Sequence, residues 1–231
     1  MKNILLIGGS HGIGLAIIKQ LENNHNLYVA ARTNENLEAI NCSYIAFDAT
    51  KDTLETSALP ETIDGFIYCP GTINLKPFSM LSSQTFEEDM KLNFFGIVDV
   101  MHTLLPFLKQ SEQASVVFFS TVAAKIGMPF HTSVAAAKGA IEGFAKAFAA
   151  EFAPNIRVNV IAPSLTDTPL AKRLLGNDKK KEKMNERHPL KRVGEMEDIA
   201  NLATYLISDK SSWMTGQVLG LDGGMSTLNV H

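Results

Sequence analysis

The most constraining stretch of this chain is its first one, Ile4-Leu5-Leu6-Ile7-Gly8-Gly9-Ser10-His11-Gly12-Ile13-Gly14-Leu15-Ala16-Ile17-Ile18. A short apolar run, a glycine-rich turn and apolar residues returning at helical spacing predict a buried strand, a tight turn and a helix start. Glycine permits positive φ and a close backbone approach to a ligand, and the free N–H groups and positive dipole end of a helix favour an anion. Gly8, Ser10, His11, Gly12, Ile13 and Gly14 are therefore candidates for cradling a phosphate. The same glycines would also serve a plain tight turn.

What such a site can belong to is limited by size and charge. With 231 residues, 45% hydrophobic content and a net charge of −3, the chain can bury one sizeable core, and a single domain over 1–231 is expected. The slightly acidic balance argues against nucleic-acid partners, which need a dense basic field. Cys42 and Cys69 are too few for a disulfide framework and lack metal-ligand spacing, so a reducing cytoplasm and no metal site are expected. No basic-then-apolar leader precedes the first strand, and no apolar run approaches the roughly 18 residues of a membrane span, so no membrane association is expected.

Strand-like and helix-like segments alternate along the chain. Strands are predicted at 26–31, 43–47, 65–69, 115–120, 156–161 and 217–221. Helices are predicted from near Asn34, near Thr53 to Ala58, from about Gln84 to Leu108 with a bend near Pro106, from about Thr132 to Phe152, and from Glu195 to Ser208. A helical lid is predicted over Pro169 to Arg187. Such alternation implies a parallel sheet covered by helices on both faces, with ligands at the carboxyl ends of the strands. At the end of the second strand stands Ala31-Arg32. A carboxylate there would suit an adenosine ribose, whereas a basic residue accommodates a 2′-phosphate, so NADP is favoured over NAD. Arg32 would otherwise be a solvated loop residue.

The spacing Gly8-x-x-x-Gly12-x-Gly14 resembles the T-G-x-x-x-G-x-G turn of the short-chain dehydrogenase/reductase family, with Ile7 in place of threonine. Residues Ile156 to Pro169 resemble that family's R-V-N-x-I-x-P-G-x-x-x-T segment, with Ser164 in place of the glycine. Arg192-Val193-Gly194, Asp198-Ile199-Ala200 and Thr215 to Gly224 extend the likeness over the whole chain. The resemblance implies an α/β, doubly wound Rossmann fold with a seven-stranded parallel sheet, a nicotinamide cofactor and a substrate lid at about 168–192. It also implies a homotetramer or homodimer. The small-residue helix fits that, since eleven of the nineteen residues from Ala135 to Ala153 are Ala or Gly, although they would equally serve packing within one chain. By the same resemblance Asp48 meets the adenine, Lys138 the nicotinamide ribose, Pro163 lies in the stretch framing the nicotinamide, and Thr168 touches its carboxamide and the phosphates. Asp48 would otherwise be a turn former. Tyr68-Cys69-Pro70-Gly71 stands where the family has Asn-Asn-Ala-Gly, so only Gly71 survives and the bracing asparagines must be replaced. Cys69 has no histidine near it in sequence and reads as a structural thiol.

The chemistry is expected between Asn93 and Lys138. Asn93 resembles the family's water-holding helix asparagine, and Thr121, thirteen residues before Val134, has the spacing of its catalytic serine, with Ser120 the alternative one register away. The Tyr-x-x-x-Lys motif reads Val134-Ala135-Ala136-Ala137-Lys138: the lysine is present and the tyrosine is not. After hydride transfer to a carbonyl something must protonate the alkoxide, and valine cannot. His131, seven residues before Lys138, shares its helix face and is a competent acid near neutral pH. The enoyl-reductase branch of the family places its tyrosine at that same distance. Alternatively His131 is a polar helix-end residue, and water held by Thr121 or Asn93 supplies the proton. Nine basic and three acidic residues from Lys172 to Arg192 suggest an anionic acyl thioester as substrate, or else a solvated helix pair. The expected activity is NADP(H)-dependent oxidoreduction of a small-molecule carbonyl or alcohol with a non-tyrosine proton donor. The rivals are a catalytically silent nucleotide-binding protein and an enoyl-thioester reductase.

Overall fold

A computed structural model describes residues 1–229 of the chain; the last two residues of the predicted domain lie outside the described residues. Seven strands form one parallel sheet: β1 (Asn3–Ile7), β2 (Asn26–Ala31), β3 (Ser43–Ala46), β4 (Gly65–Tyr68), β5 (Ala114–Phe119), β6 (Ile156–Pro163) and β7 (Val218–Leu221). Their spatial order is β3-β2-β1-β4-β5-β6-β7. The order reverses between β1 and β4, and that switch point opens the crevice in which such sheets bind ligands. Register is continuous across it, with Ile4 opposite Gly65 and Ile7 opposite Tyr68.

Both faces of the sheet are buried, which is why the strands read as unbroken apolar runs. Side chains alternate between faces along β1. Ile4 and Leu6 join a core with Ile17, Ile18 and Leu21 of helix α1 (Gly12–Leu21) and Ile199 and Leu206 of helix α6 (Met196–Ile207). Leu5 and Ile7 face the opposite core, closed by helices α3 (Gly96–Leu108) and α4 (Thr132–Phe152) through Ile97, Leu104, Ile141 and Ala145. Arg157 and Asn159 of β6 turn their polar ends to the loop before β7, where Arg157 donates to the carbonyls of Ser211 and Met214 and Asn159 to that of Met214.

The predicted long helix is present as α2 (Ser83–Met90), a π-helical turn (Lys91–Phe95) and α3, running without a break. This 26-residue stretch reaches a mean hydropathy of 1.2 over 18 residues, so one helix is long and apolar enough to cross a membrane, contrary to expectation. Ile97, Val100, Met101, Leu104 and Leu108 lie buried against the sheet, as in a core helix.

Two predicted helices do not form. Beyond Asn34 the chain makes turns, with Asn36 at φ 65°. Thr53 to Ala58 is irregular: Leu54 is buried in the core, and a single turn has too few hydrogen bonds to sustain itself. The segment predicted as a helical lid is helical in two pieces. It consists of a 3₁₀ turn (Pro169–Ala171) and helix α5 (Asp178–Glu186), which starts where the Asn177 side chain accepts from the Lys180 N–H at 2.9 Å.

Candidate active site

Two cavities meet at the carboxyl ends of β1, β4, β5 and β6. The larger, about 510 Å³, runs along the glycine turn and is lined by Gly8, Ser10, His11, Gly12, Ile13 and Gly14, then by Arg32, Asp48 and Gly71. The smaller, about 280 Å³, is lined by Thr121, His131, Val134, Lys138, Pro163 and Ser164, with the lid above. Ile13, Gly71 and Thr168 border both. Of the candidate catalytic and cofactor-binding residues named from the sequence, only Asn93 borders neither; it is fully buried behind Gly71.

The glycine turn is shaped for a close approach. Gly8 and Gly12 have φ of +82° and +58°, and a Cβ on Gly14 would sit 2.3 Å from the Gly8 carbonyl oxygen. The first turn of α1 carries no acidic residue and no side-chain cap, so its N–H groups remain available to an anion. This fits a dinucleotide pyrophosphate. Beyond it, Asp48 accepts from the Thr50 amide at 2.9 Å and from its hydroxyl at 2.7 Å, and these bonds hold the carboxyl below the usual range. Arg32 is exposed at the end of β2. One neighbour was missed in the sequence: Glu35, whose carboxylate lies 3.4 Å from His11 Nε2, while His11 Nδ1 is 3.0 Å from the Ser10 hydroxyl. A carboxylate thus stands beside His11 at this end of the cavity, three residues past Arg32.

The bracing asparagines have a replacement. The Tyr68 hydroxyl, buried at the end of β4, donates to the Leu92 carbonyl at 2.7 Å and so ties the central strand to the π-helical turn. Burial pushes its phenol well above the ordinary range. This phenol also explains Gly96, where a Cβ would lie 2.5 Å from the Tyr68 oxygen. Cys69 follows, its thiol pushed up to about 12 by burial despite the nearby Lys138, which makes it a poor nucleophile at neutral pH.

At the opposite end of the crevice α4 supplies three consecutive contributions on one face, His131 at its N-cap, then Val134 and Lys138. His131 Nδ1 sits 2.7 Å from the Pro129 carbonyl oxygen, so Nδ1 carries the donating proton and Nε2 is the nitrogen left for a ligand. Val134 is 6% exposed and offers no polar atom. Lys138 is 7% exposed, and burial draws its ammonium down to about 8. The choice between Thr121 and Ser120 is sharpened by their partners. The Ser120 hydroxyl donates to the Glu142 carboxylate at 2.5 Å, whereas Thr121 Oγ1 only accepts, from the Ala123 N–H at 3.3 Å, and keeps its own proton free. Thr168 Oγ1 accepts from Ala171 N–H at 3.2 Å and caps the first lid turn.

A second histidine, not singled out in the sequence, lines the same cavity. His188 is 2% exposed, with Nε2 2.7 Å from the Ser164 hydroxyl and Nδ1 2.9 Å from the Met184 carbonyl oxygen. Both its nitrogens are engaged, and the Ser164 hydroxyl that replaces the expected glycine anchors the lid to β6. No spacing in the sequence marks His188, because the fold brings it to Ser164 from twenty-four residues away.

Comparison with known proteins agrees with this geometry. The family model described as enoyl-(acyl carrier protein) reductase matches residues 9–226. The chain is 32% identical to 3-oxoacyl-acyl-carrier-protein reductase FabG of Chlamydia trachomatis serovar D over 97% of each chain. It is 31% identical to a tropinone reductase homolog of Datura stramonium, covering 95% of this chain and 90% of that one. A short chain dehydrogenase family protein of Francisella tularensis superposes with a TM-score of 0.90 at 28% identity, over 99% of this chain and 100% of the other. From the glycine turn to the closing Asp222-Gly223-Gly224, this chain belongs to the short-chain dehydrogenase/reductase family of oxidoreductases.

Proposed function

We propose that this protein is an NADP(H)-dependent oxidoreductase that interconverts a carbonyl and an alcohol, with His131 supplying the proton that a tyrosine supplies elsewhere in the family. The observation that carries this reading is the shared wall of the smaller cavity. His131, with Nε2 uncommitted, borders the same space as Thr121 and Lys138, one helical turn from the valine that cannot act. Bound NADPH supplies the hydride. Gly8, Ser10, His11, Gly12, Ile13, Gly14 and Gly71 line its path, and the uncapped start of α1 suits its pyrophosphate. Arg32 favours the 2′-phosphate of NADP over NAD, and Asp48 lies on the adenine side. Lys138 donates to ribose hydroxyls, and Pro163 and Thr168 border the nicotinamide end. Thr121 donates its free proton to the substrate carbonyl oxygen. In reduction the imidazolium Nε2–H of His131 passes its proton to the nascent alkoxide; in oxidation neutral Nε2 takes it back. Asn93, behind Gly71, orients Lys138 and water rather than touching the substrate.

The cavity walls are mostly apolar, including Ile73, Leu75, Val122, Leu174 and Met184, and Arg187 adds a cation. With the basic lid this suits an anionic acyl thioester, the class that the name of the Chlamydia relative, a 3-oxoacyl-acyl-carrier-protein reductase, gives as its substrate. Gly139 and Gly143 of α4 meet nothing within 4 Å, which supports close approach of a second copy in a homodimer or homotetramer. Two free cysteines suit a reducing cytoplasm.

The test is NADPH oxidation against ketones, ketoacyl thioesters and enoyl thioesters, with wild type, His131→Ala and Val134→Tyr in parallel. His131→Ala is expected to lower kcat by about 10²–10⁴ with NADPH affinity intact, the range for a lost general acid. A wild type that binds NADPH and turns over nothing, while Val134→Tyr gains activity, would instead identify a cofactor-binding scaffold. Turnover of enoyl thioesters alone would identify an enoyl reductase.

A further inference from the structure

Asp89 on α2 is fully buried, and nothing said so far uses it. Its Oδ1 accepts from the Thr72 hydroxyl at 2.6 Å and from Asn74 Nδ2 at 2.7 Å, while Oδ2 is buried with no partner among the described residues. The directions of these bonds propagate. A carboxylate only accepts, so Thr72 must spend its one proton on Asp89. Thr72 Oγ1 is thereby left as an acceptor, and it receives Asn93 Nδ2 at 2.9 Å. The other proton of that amide goes to the main-chain oxygen of Asp89 at 2.8 Å. Asn93 consequently turns its Oδ1 the opposite way, where it too is buried and unpartnered among the described residues.

A Cβ built on Gly71 would lie 3.4 Å from Asn93 Oδ1 and 3.3 Å from Lys138 Nζ, so both border the space at Gly71, with no direct hydrogen bond between them. Among the described residues Lys138 enters none of the ion pairs, which leaves a buried ammonium with no carboxylate in direct contact. Its other charged or titratable neighbours are the Cys69 thiol, neutral in its buried position, and Glu142 one turn on along α4, whose carboxylate is held by Ser120. Asp89 acts on it twice, by its charge and by fixing the polarity of the Thr72–Asn93 chain so that an acceptor is presented.

We propose that Asp89 is a positioning residue that, through Thr72 and Asn93, keeps Lys138 in its charged, donating form at physiological pH. The functional meaning rests on the reading of Lys138 as a holder of the cofactor ribose, because only an ammonium donates to those hydroxyls at all three positions. Burial opposes the charge and Asp89 favours it, the two acting in opposite directions on the same proton.

The test follows the Nζ of Lys138 by nitrogen-15 NMR across pH 6 to 10, the resonance assigned with Lys138→Arg, in protein free of cofactor. Asp89→Asn is expected to lower the midpoint by about one pH unit, the size of effect a nearby opposite charge produces. Thr72→Val retains the charge and breaks the chain, and is expected to lower it by about half a unit, whereas Thr72→Ser, which keeps the hydroxyl, should restore it. A second readout is NADPH affinity against pH, whose alkaline limb should move with the midpoint. An unchanged midpoint in folded Asp89→Asn overturns the proposal. Should that variant fail to fold, an unchanged midpoint in Thr72→Val overturns it equally. Because the titration needs no turnover, its outcome is independent of whether any carbonyl substrate is found.

Discussion

The two cavities that meet at Gly71 are built on different principles. The cofactor side is mostly backbone: glycines at positive φ, an uncapped helix start and strand ends set its shape. The substrate side is mostly side chains, among them His131, Val134, Lys138 and His188, projecting from α4 and the lid. A backbone site tolerates few residues at few positions, and so leaves a spacing motif in the sequence. A side-chain site can be rebuilt one residue at a time, and in this chain Val134 stands on that side where the family's motif has tyrosine.

The sharpest way to break this comparison is at Gly14. Its missing Cβ would fall 2.3 Å from the Gly8 carbonyl oxygen and 3.0 Å from Gly9 Cα, both backbone atoms that cannot swing aside. Gly14→Ala is expected to weaken NADPH binding by about 100-fold and to destabilise the fold by about 1–3 kcal/mol, as overpacking does. Calorimetric titration and thermal melts check it. A tolerated alanine would mean that the turn is less tightly packed against α1 than these distances require, and the backbone account of the cofactor side would fail.

That asymmetry also governs what the sequence disclosed. The positions of the strands are legible as apolar runs between turn signals, and the glycine turn, Lys138 and the Arg157-Val158-Asn159 segment are legible because each has a fixed spacing, whereas the spatial order of the strands is not. The helix expected from near Asn34 gives way to turns with Asn36 at φ 65°, and the segment at 53–58 misleads because local propensity cannot reveal that Leu54 is needed in the core. Asp89, Thr72 and Asn74 were invisible for a different reason: they are brought together by the fold, seventeen and fifteen residues apart along the chain. The Ser164–His188 contact joins residues twenty-four apart, and Glu35 reaches His11 only because the chain folds back after β2.

A smaller effect should separate function from stability at Lys138. Its folded pKa of about 8 lies below the ordinary lysine range, so between those values the folded state binds fewer protons than the unfolded chain. Stability therefore rises with pH through that window, and the burden of burying the charge is largest at neutral pH. The burden is on the order of 3 kcal/mol as an upper bound. Lys138→Met should raise Tm by a few degrees at pH 7 while weakening NADPH binding about tenfold or more. The gain in Tm should shrink as the pH is raised toward 10. A gain that stays constant with pH would show that packing, and not charge, sets the difference.

The smallest effects are expected at the far end of the cofactor cavity, where the groups are exposed and water screens them. Arg32 offers a cation to a 2′-phosphate, but Glu35, with its side chain 70% exposed and paired to His11, places a negative charge on the same loop. The two should oppose each other in choosing between NADPH and NADH. Arg32→Ala is expected to lower the ratio of NADPH to NADH affinity by about tenfold, the size of one charge-assisted contact. Glu35→Gln should raise that ratio by only about two- to threefold, because an exposed carboxylate at this distance interacts weakly through solvent. Both changes should diminish at 0.5 M salt, where screening acts over about 4 Å, while the Gly14→Ala loss, which is steric, should persist. Binding titrations of both cofactors at two salt concentrations separate these cases. If Arg32→Ala leaves the ratio unchanged, Arg32 is a solvated loop residue, and the proposed choice of NADP over NAD loses its support at the end of β2.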